Sequence, residues 1–207
     1  MNENELQNRL NENEPQNRQN ENELQNPHTD TEIYGALAEN LLDMVTEEQA
    51  KLGYRKETIR FYYPLRSLQN ITHRETDENK MAEFLSGFPA FMKERYGTAL
   101  VTHKNGRFCF CLSEDVTDYV HQHTKPDEFI VRLISLISSH DTTMEKIEAL
   151  FDSAGDSYEK ETLTDDDFDL AFHFISSKDR YYYCFKDEGI HITYHRFLPE
   201  DYRDLFR

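Results

Sequence analysis

The chain has 207 residues, 40 of them Asp or Glu against 23 Lys or Arg, for a formal charge of −17. Such a balance repels phosphate backbones and anionic lipid, so it argues against general nucleic-acid binding and membrane docking and suits a basic protein partner. Three cysteines, Cys109, Cys111 and Cys184, make an odd count that reduced thiols in a reducing cytosol explain most simply.

Residues 2–28 write one nine-residue unit three times: NENELQNRL, NENEPQNRQ, NENELQNPH. Its aliphatic side chains are Leu6, Leu10 and Leu24. A segment this poor in apolar surface cannot offset the entropy of ordering itself. Residues 1–28 are therefore expected to be a disordered tail, and residues 29–207 a single globular domain. The N-terminus is polar from its first residue, which argues against a secretory signal. The most apolar stretch, Phe129 to Ile137, is interrupted by Arg132 and falls far short of the ~20 residues that span a bilayer. The expected compartment is the cytoplasm.

The first helix is predicted over Glu32 to Leu52. Thr29 and Glu32 fit a capping box, Ile33, Leu37, Leu41, Met44 and Val45 recur at helical steps, and Gly53 stands where a left-handed cap belongs. Glu57 to Tyr63 reads as a strand ending at Pro64. Leu65 to Ile71 fits a short helix. A long helix is predicted from Asp77 to Tyr96, bent or broken at Gly87-Phe88-Pro89. Thr98 to His103 and Arg107 to Leu112 form a hairpin around Asn105-Gly106. Helices follow at Glu114 to Gln122, Asp127 to Ser138 and Thr142 to Asp152, the last with Thr142 and Glu145 as a second capping box. Gly155 to Thr162 reads as a loop.

The stretch around Phe168 to Phe174 alternates like a half-buried strand, although Phe168, Ala171, Phe172 and Ile175 also match a helix. Tyr181 to Lys186 and Ile190 to Phe197 form a second hairpin, and Pro199 opens a last short helix. This order predicts an α+β fold: a mainly antiparallel sheet of five or six strands packed against several helices.

Four groups of residues are candidates for chemistry. His191 and His195 share a face of one predicted strand, and His173 with Asp169 share a face of another. Together they form a candidate zinc or iron set. His191 and His195 stand ~13 Å apart on an extended strand, too far for one ion without a bulge. His121 and His123 fit a helix C-terminus. The run Asp165 to Asp167 lacks the glycine of a calcium loop. Arg55, Lys56, Arg60 and Arg66, with Lys51, form the one clearly basic segment, a candidate grip for an anion or an acidic partner unless the chain's own carboxylates take them up. No nucleophile elbow, phosphate loop or dinucleotide fingerprint is present, and no cofactor is expected.

The stretch Lys51-Leu-Gly-Tyr-Arg-Lys-Glu-Thr-Ile-Arg-Phe-Tyr-Tyr-Pro-Leu-Arg-Ser-Leu68 resembles a family of functionally uncharacterised bacterial proteins, and the aromatic C-terminal hairpin fits the same likeness. The resemblance covers Ile33 to Phe206 and implies no activity. The leading expectation is a non-catalytic protein-binding or regulatory module. Its rivals are a small metal-dependent enzyme using His173, His191, His195 and Asp169, and a phosphate-ligand sensor using Arg55, Arg60 and Arg66.

Overall fold

The computed structural model describes residues 29–164, 166–175 and 179–206. The expected disordered tail and Asp165 of the acidic run lie outside the described residues. Helix α1 (Asp30–Leu52) begins as its sequence dictates: Thr29 N donates to Glu32 Oε2 at 2.7 Å, and Glu32 N donates back to Thr29 Oγ1 at 3.3 Å. It ends at Gly53, with φ 70°, whose N–H donates to Gln49 O. Ile33, Leu37, Ala38, Leu41 and Val45 form its buried stripe.

Strand β1 (Ile59–Pro64) leads into α2 (Leu65–Thr72). The long helix expected over Asp77 to Tyr96 breaks into α3 (Glu78–Leu85) and α4 (Phe88–Arg95). The break falls at Gly87, because Pro89 lacks an N–H and sits readily in a first turn. Strands β2 (Ala99–Lys104) and β3 (Arg107–Leu112) form the expected hairpin, and both turn residues, Asn105 and Gly106, have positive φ. Strand β1 pairs antiparallel with the far side of β3, giving the order β1-β3-β2.

Helices α5 (Glu114–His123), α6 (Phe129–Ile137) and α7 (Met144–Asp152) follow. Then come β4 (Tyr158–Thr162), β5 (Leu170–Phe174), β6 (Tyr182–Asp187) and β7 (Ile192–Phe197), an antiparallel meander in chain order. Helix α8 (Pro199–Phe206) closes the described chain.

Three expectations need correction. The strands form two sheets, of three and four strands, where one of five or six was expected. The α5-α6-α7 run separates the two groups, and each sheet finds its own helical cover. Tyr158 to Thr162, expected to be loop, pairs with β5. Its polar side chains suit an edge strand, which has one neighbour and little burial. Finally, Thr143 caps α7, accepting from Lys146 N. Thr142 instead donates its hydroxyl to Leu136 O and Ser139 O.

The first sheet buries one period-two face, and the second has cover on both. Tyr63, Phe108, Phe110 and Leu112 pack with α1, α3 and α4 around Leu41, Met81 and Phe88. Phe172, Phe174, Tyr183 and Phe185 pack with α6 and α7 around Leu133 and Phe151. The opposite face of the second sheet carries Ala171, Cys184 and Phe197 and is covered by Tyr202 and Phe206 of α8. Helix α1 packs against α2, α4 and α5 on one side and α6 on the other, so it joins the two sheet units.

Candidate functional site

The side of α1 toward the second sheet is polar. Asn40, Asp43 and Glu47 recur at three and four residue steps and form one stripe. Facing them is β7, where Ile192, Tyr194 and Arg196 alternate onto one face. Arg196 carries the seam between them. Its side chain is only 4% exposed, its Nη1 lies 2.8 Å from Asp43 Oδ2, and its Nε donates to Glu47 Oε2 at 2.7 Å. Its guanidinium also lies over the Tyr181 ring, 4.3 Å from the centroid. Such stacking and forked pairing are what a guanidinium does better than an ammonium.

Tyrosines complete the network. Tyr194 donates to Glu47, and Tyr183 donates to Asp179. Tyr63, from the first sheet, donates to Asn40 Oδ1 at 2.6 Å, and Asn40 Nδ2 donates to the Tyr181 hydroxyl at 2.6 Å. Asn40 thus bridges Tyr63 of β1 and Tyr181, the residue just before β6. Burial, with the nearby carboxylates, pushes the Tyr63, Tyr181 and Tyr194 hydroxyls well up, so they stay protonated donors.

The two carboxylates of α1 respond in opposite senses. Burial raises the Asp43 carboxyl, Arg196 pulls against this, and Asp179 and Glu47 reinforce it. Burial acts on Glu47 in the same way, but Arg196, Lys51 and the Tyr194 hydroxyl outweigh it and hold Glu47 below its ordinary value.

This wall borders a cleft of about 740 Å³. Among the described residues, Glu39, Asp43, Glu128, Asp179 and Glu200 line it with the guanidinium of Arg180. Ala36, Ile71, Leu198 and the Tyr181 ring supply its apolar surface. Among the described residues, none of those lining it is His, Cys, Ser or Thr. The arrangement offers negative charge, hydrogen-bond acceptors and apolar walls to a guest.

The residues singled out from sequence are dispersed. His173 stacks on Tyr182 with centroids 4.2 Å apart, and its Nδ1 lies 3.2 Å from Tyr181 O. His195 stands opposite Cys184 and against Phe197. His191 precedes β7 and meets Glu188, with Nε2 3.1 Å from Oε2. Asp169 accepts from Lys186 Nζ and from Asp187 N, both at 3.0 Å. His173 and His195 do share a sheet face, but β6 lies between their strands. Among the described residues, no three His, Cys, Asp or Glu side chains converge as a metal site would require.

The basic segment is also divided. Arg55 pairs with Glu114 and Asp118, Lys56 with Glu48, Arg66 with Asp204 and Lys51 with Glu47. Arg60 points to the outer face of β1 beside Cys111. Cys109, Cys111 and Cys184 form no disulfide. His121 and His123 lie in the last turn of α5, as expected, with His123 stacked on Tyr119.

The seam escaped sequence reasoning because its partners lie about 150 residues apart, beyond any local pattern. Two signals were legible. Asn40, Asp43 and Glu47 form one polar stripe along an amphipathic helix, and Arg196 alternates with Ile192 and Tyr194 on one strand face.

Fold and cleft together define an α+β protein built around an acidic, tyrosine-walled seam. The chain belongs to DUF3877, a family of domains of unknown function described from the bacterium E. rectale, whose model matches residues 34–206. The resemblance carried by Lys51 to Leu68 is thereby borne out. No curated protein and no solved structure matches the chain. Among the described residues, no helix is long and apolar enough to cross a membrane.

Proposed function

We propose that this protein is a non-catalytic binding module whose acidic cleft receives a cationic side chain of a basic protein partner. The five carboxylates among the described residues that line the cleft, set around an apolar floor, are the observation that carries this reading. A lysine or arginine stem would lie along Ile71, Leu198 and the Tyr181 ring, with its charge among the carboxylates. Asp43, raised by burial, would regain a favourable ionised state when a cation enters. We place the module in the cytoplasm, a reading supported by three cysteines that form no disulfide.

Titration calorimetry of the full chain with a short Lys/Arg-rich peptide at low salt tests the proposal. Glu39 is exposed at the cleft and makes no ion pair among the described residues, so Glu39→Gln changes charge with little effect on the fold. Saturable binding is expected, weakened about tenfold by this substitution with Glu128→Gln beside it. Heat changes indistinguishable from buffer, or equal binding by the variant, would sink the reading.

A further inference from the structure

We infer that the outer face of the β1-β3-β2 sheet is a docking surface for an extended acidic segment of a partner protein. Strand register places nine side chains on this face in three rows. Arg60, Cys111 and Leu100 form the first, Tyr62, Cys109 and Thr102 the second, and Pro64, Arg107 and Lys104 the third. Apart from His103 the alternate side chains face the core, and among the described residues the helices cover the sheet on that side alone. Tyr62 and Leu100 are 64% and 61% exposed.

Charge sets this face apart. Not one of the nine residues is acidic, in a chain with 40 carboxylates. Arg60, Lys104 and Arg107 make no ion pair among the described residues, whereas Arg55, Lys56 and Arg66 are taken up by the protein's own acids. Glu78, near the hairpin turn, is already engaged by His103 and the Gly106 amide. A shallow depression of about 530 Å³ lies between Tyr62, Cys109 and the Lys104–Arg107 end.

The spacing specifies the guest. The two cationic rows are four residues apart along the strands, roughly 13 Å. An extended peptide presents every second side chain to one face. Carboxylates at positions i and i+4 would therefore meet the two rows, and an apolar side chain at i+2 would rest on Tyr62. Arginine and tyrosine without aspartate or glutamate is also the composition of protein-interface centres. A single nucleic-acid strand fits less well: it stacks on successive rings, this face offers Tyr62 alone, and the overall charge of −17 opposes a polyanion.

Fluorescence anisotropy with a labelled peptide that alternates Glu, Leu and Glu on one face tests the inference on the full chain. Saturable binding is expected at low salt. It should weaken about a hundredfold in Arg60→Glu/Arg107→Glu and about tenfold in Tyr62→Ala, while Glu39→Gln, in the cleft, leaves it unchanged. Circular dichroism checks that each variant is folded; should the double reversal unfold, Arg60→Gln/Arg107→Gln replaces it with the same direction expected. Binding that ignores these substitutions, no saturable binding, or tighter binding of a single-stranded thymidine oligonucleotide would each overturn the inference. Sensitivity to Glu39→Gln in place of Arg60→Glu would do so as well, because the cleft would then be the site.

Discussion

Arg196 is a buried cation held by two carboxylates from another element, so its removal leaves Asp43 without its cation and Glu47 with Lys51 and Tyr194. Breaking a buried pair in this way costs about 3–5 kcal/mol, mostly through the charge left behind. Arg196→Met should therefore lower the unfolding free energy by about that amount at neutral pH. Urea denaturation measures it, and a loss below about 1 kcal/mol would mean that the seam is held by its tyrosines instead.

Asp43 and Glu47 should separate by pH. Glu47 is depressed in the folded state, so its contribution is complete above its ordinary value of 4.5 and drains away as pH falls through the lower folded value. Asp43 is raised from 3.8, so its contribution is present at low pH and lost as pH rises through the folded value. At pH 7, Glu47→Gln should then destabilise clearly, and Asp43→Asn should cost much less. The Glu47→Gln deficit should shrink as the solution is acidified below 4.5. Equal deficits for the two variants across this range would refute the opposed assignment.

At the level of single elements, the link from α4 to β2 depends on Gly97. Its φ of 130° suits glycine, and an added Cβ would lie 2.7 Å from Asp115 Cγ and 2.9 Å from Val116 N. Asp115 accepts from Thr98 N and Oγ1, which fixes the start of α5 against the start of β2. Gly97→Ala should cost on the order of 2–3 kcal/mol. Gly106→Ala, with open space around its Cβ, should cost only about 1 kcal/mol. Paired melting curves test the contrast, and a Gly97→Ala midpoint at or above that of Gly106→Ala would contradict it.

The same scale shows what the sequence made legible. Local rules located nearly every element, because caps, helical stripes and the Asn105-Gly106 turn act within a few residues. They also favoured a strand near Phe172, where β5 lies, although helical spacing competed. They failed at Tyr158 to Thr162, whose strand state comes from pairing with β5 and not from its own apolar pattern. Sheet membership was beyond them too. Which strands pair depends on where α5, α6 and α7 fold, and no spacing within a strand records that. For the site, the basic run was visible, but ion pairs up to 138 residues apart decided which cations it kept.

Among the described residues, the two larger of three cores share one helix, α1. Leu37, Leu41 and Val45 of α1 lie in the first core, Ala50 packs against the second, and Asp43 and Glu47 bind β7 between them. Losing α1 would uncover the first core and strip α6 and Arg196 of β7 of their partners, so the halves should unfold together. Leu41 is fully buried in the first core, and truncation there costs about 2–5 kcal/mol through lost burial and the cavity it leaves. If α1 couples the cores, Leu41→Ala should weaken the second sheet as much as the first. Native-state hydrogen exchange reads this directly: amides of β6 and β7 should lose protection by the same free energy as those of β1 and β3. Unchanged protection in the second sheet would show two independent units that share a helix without sharing its stability.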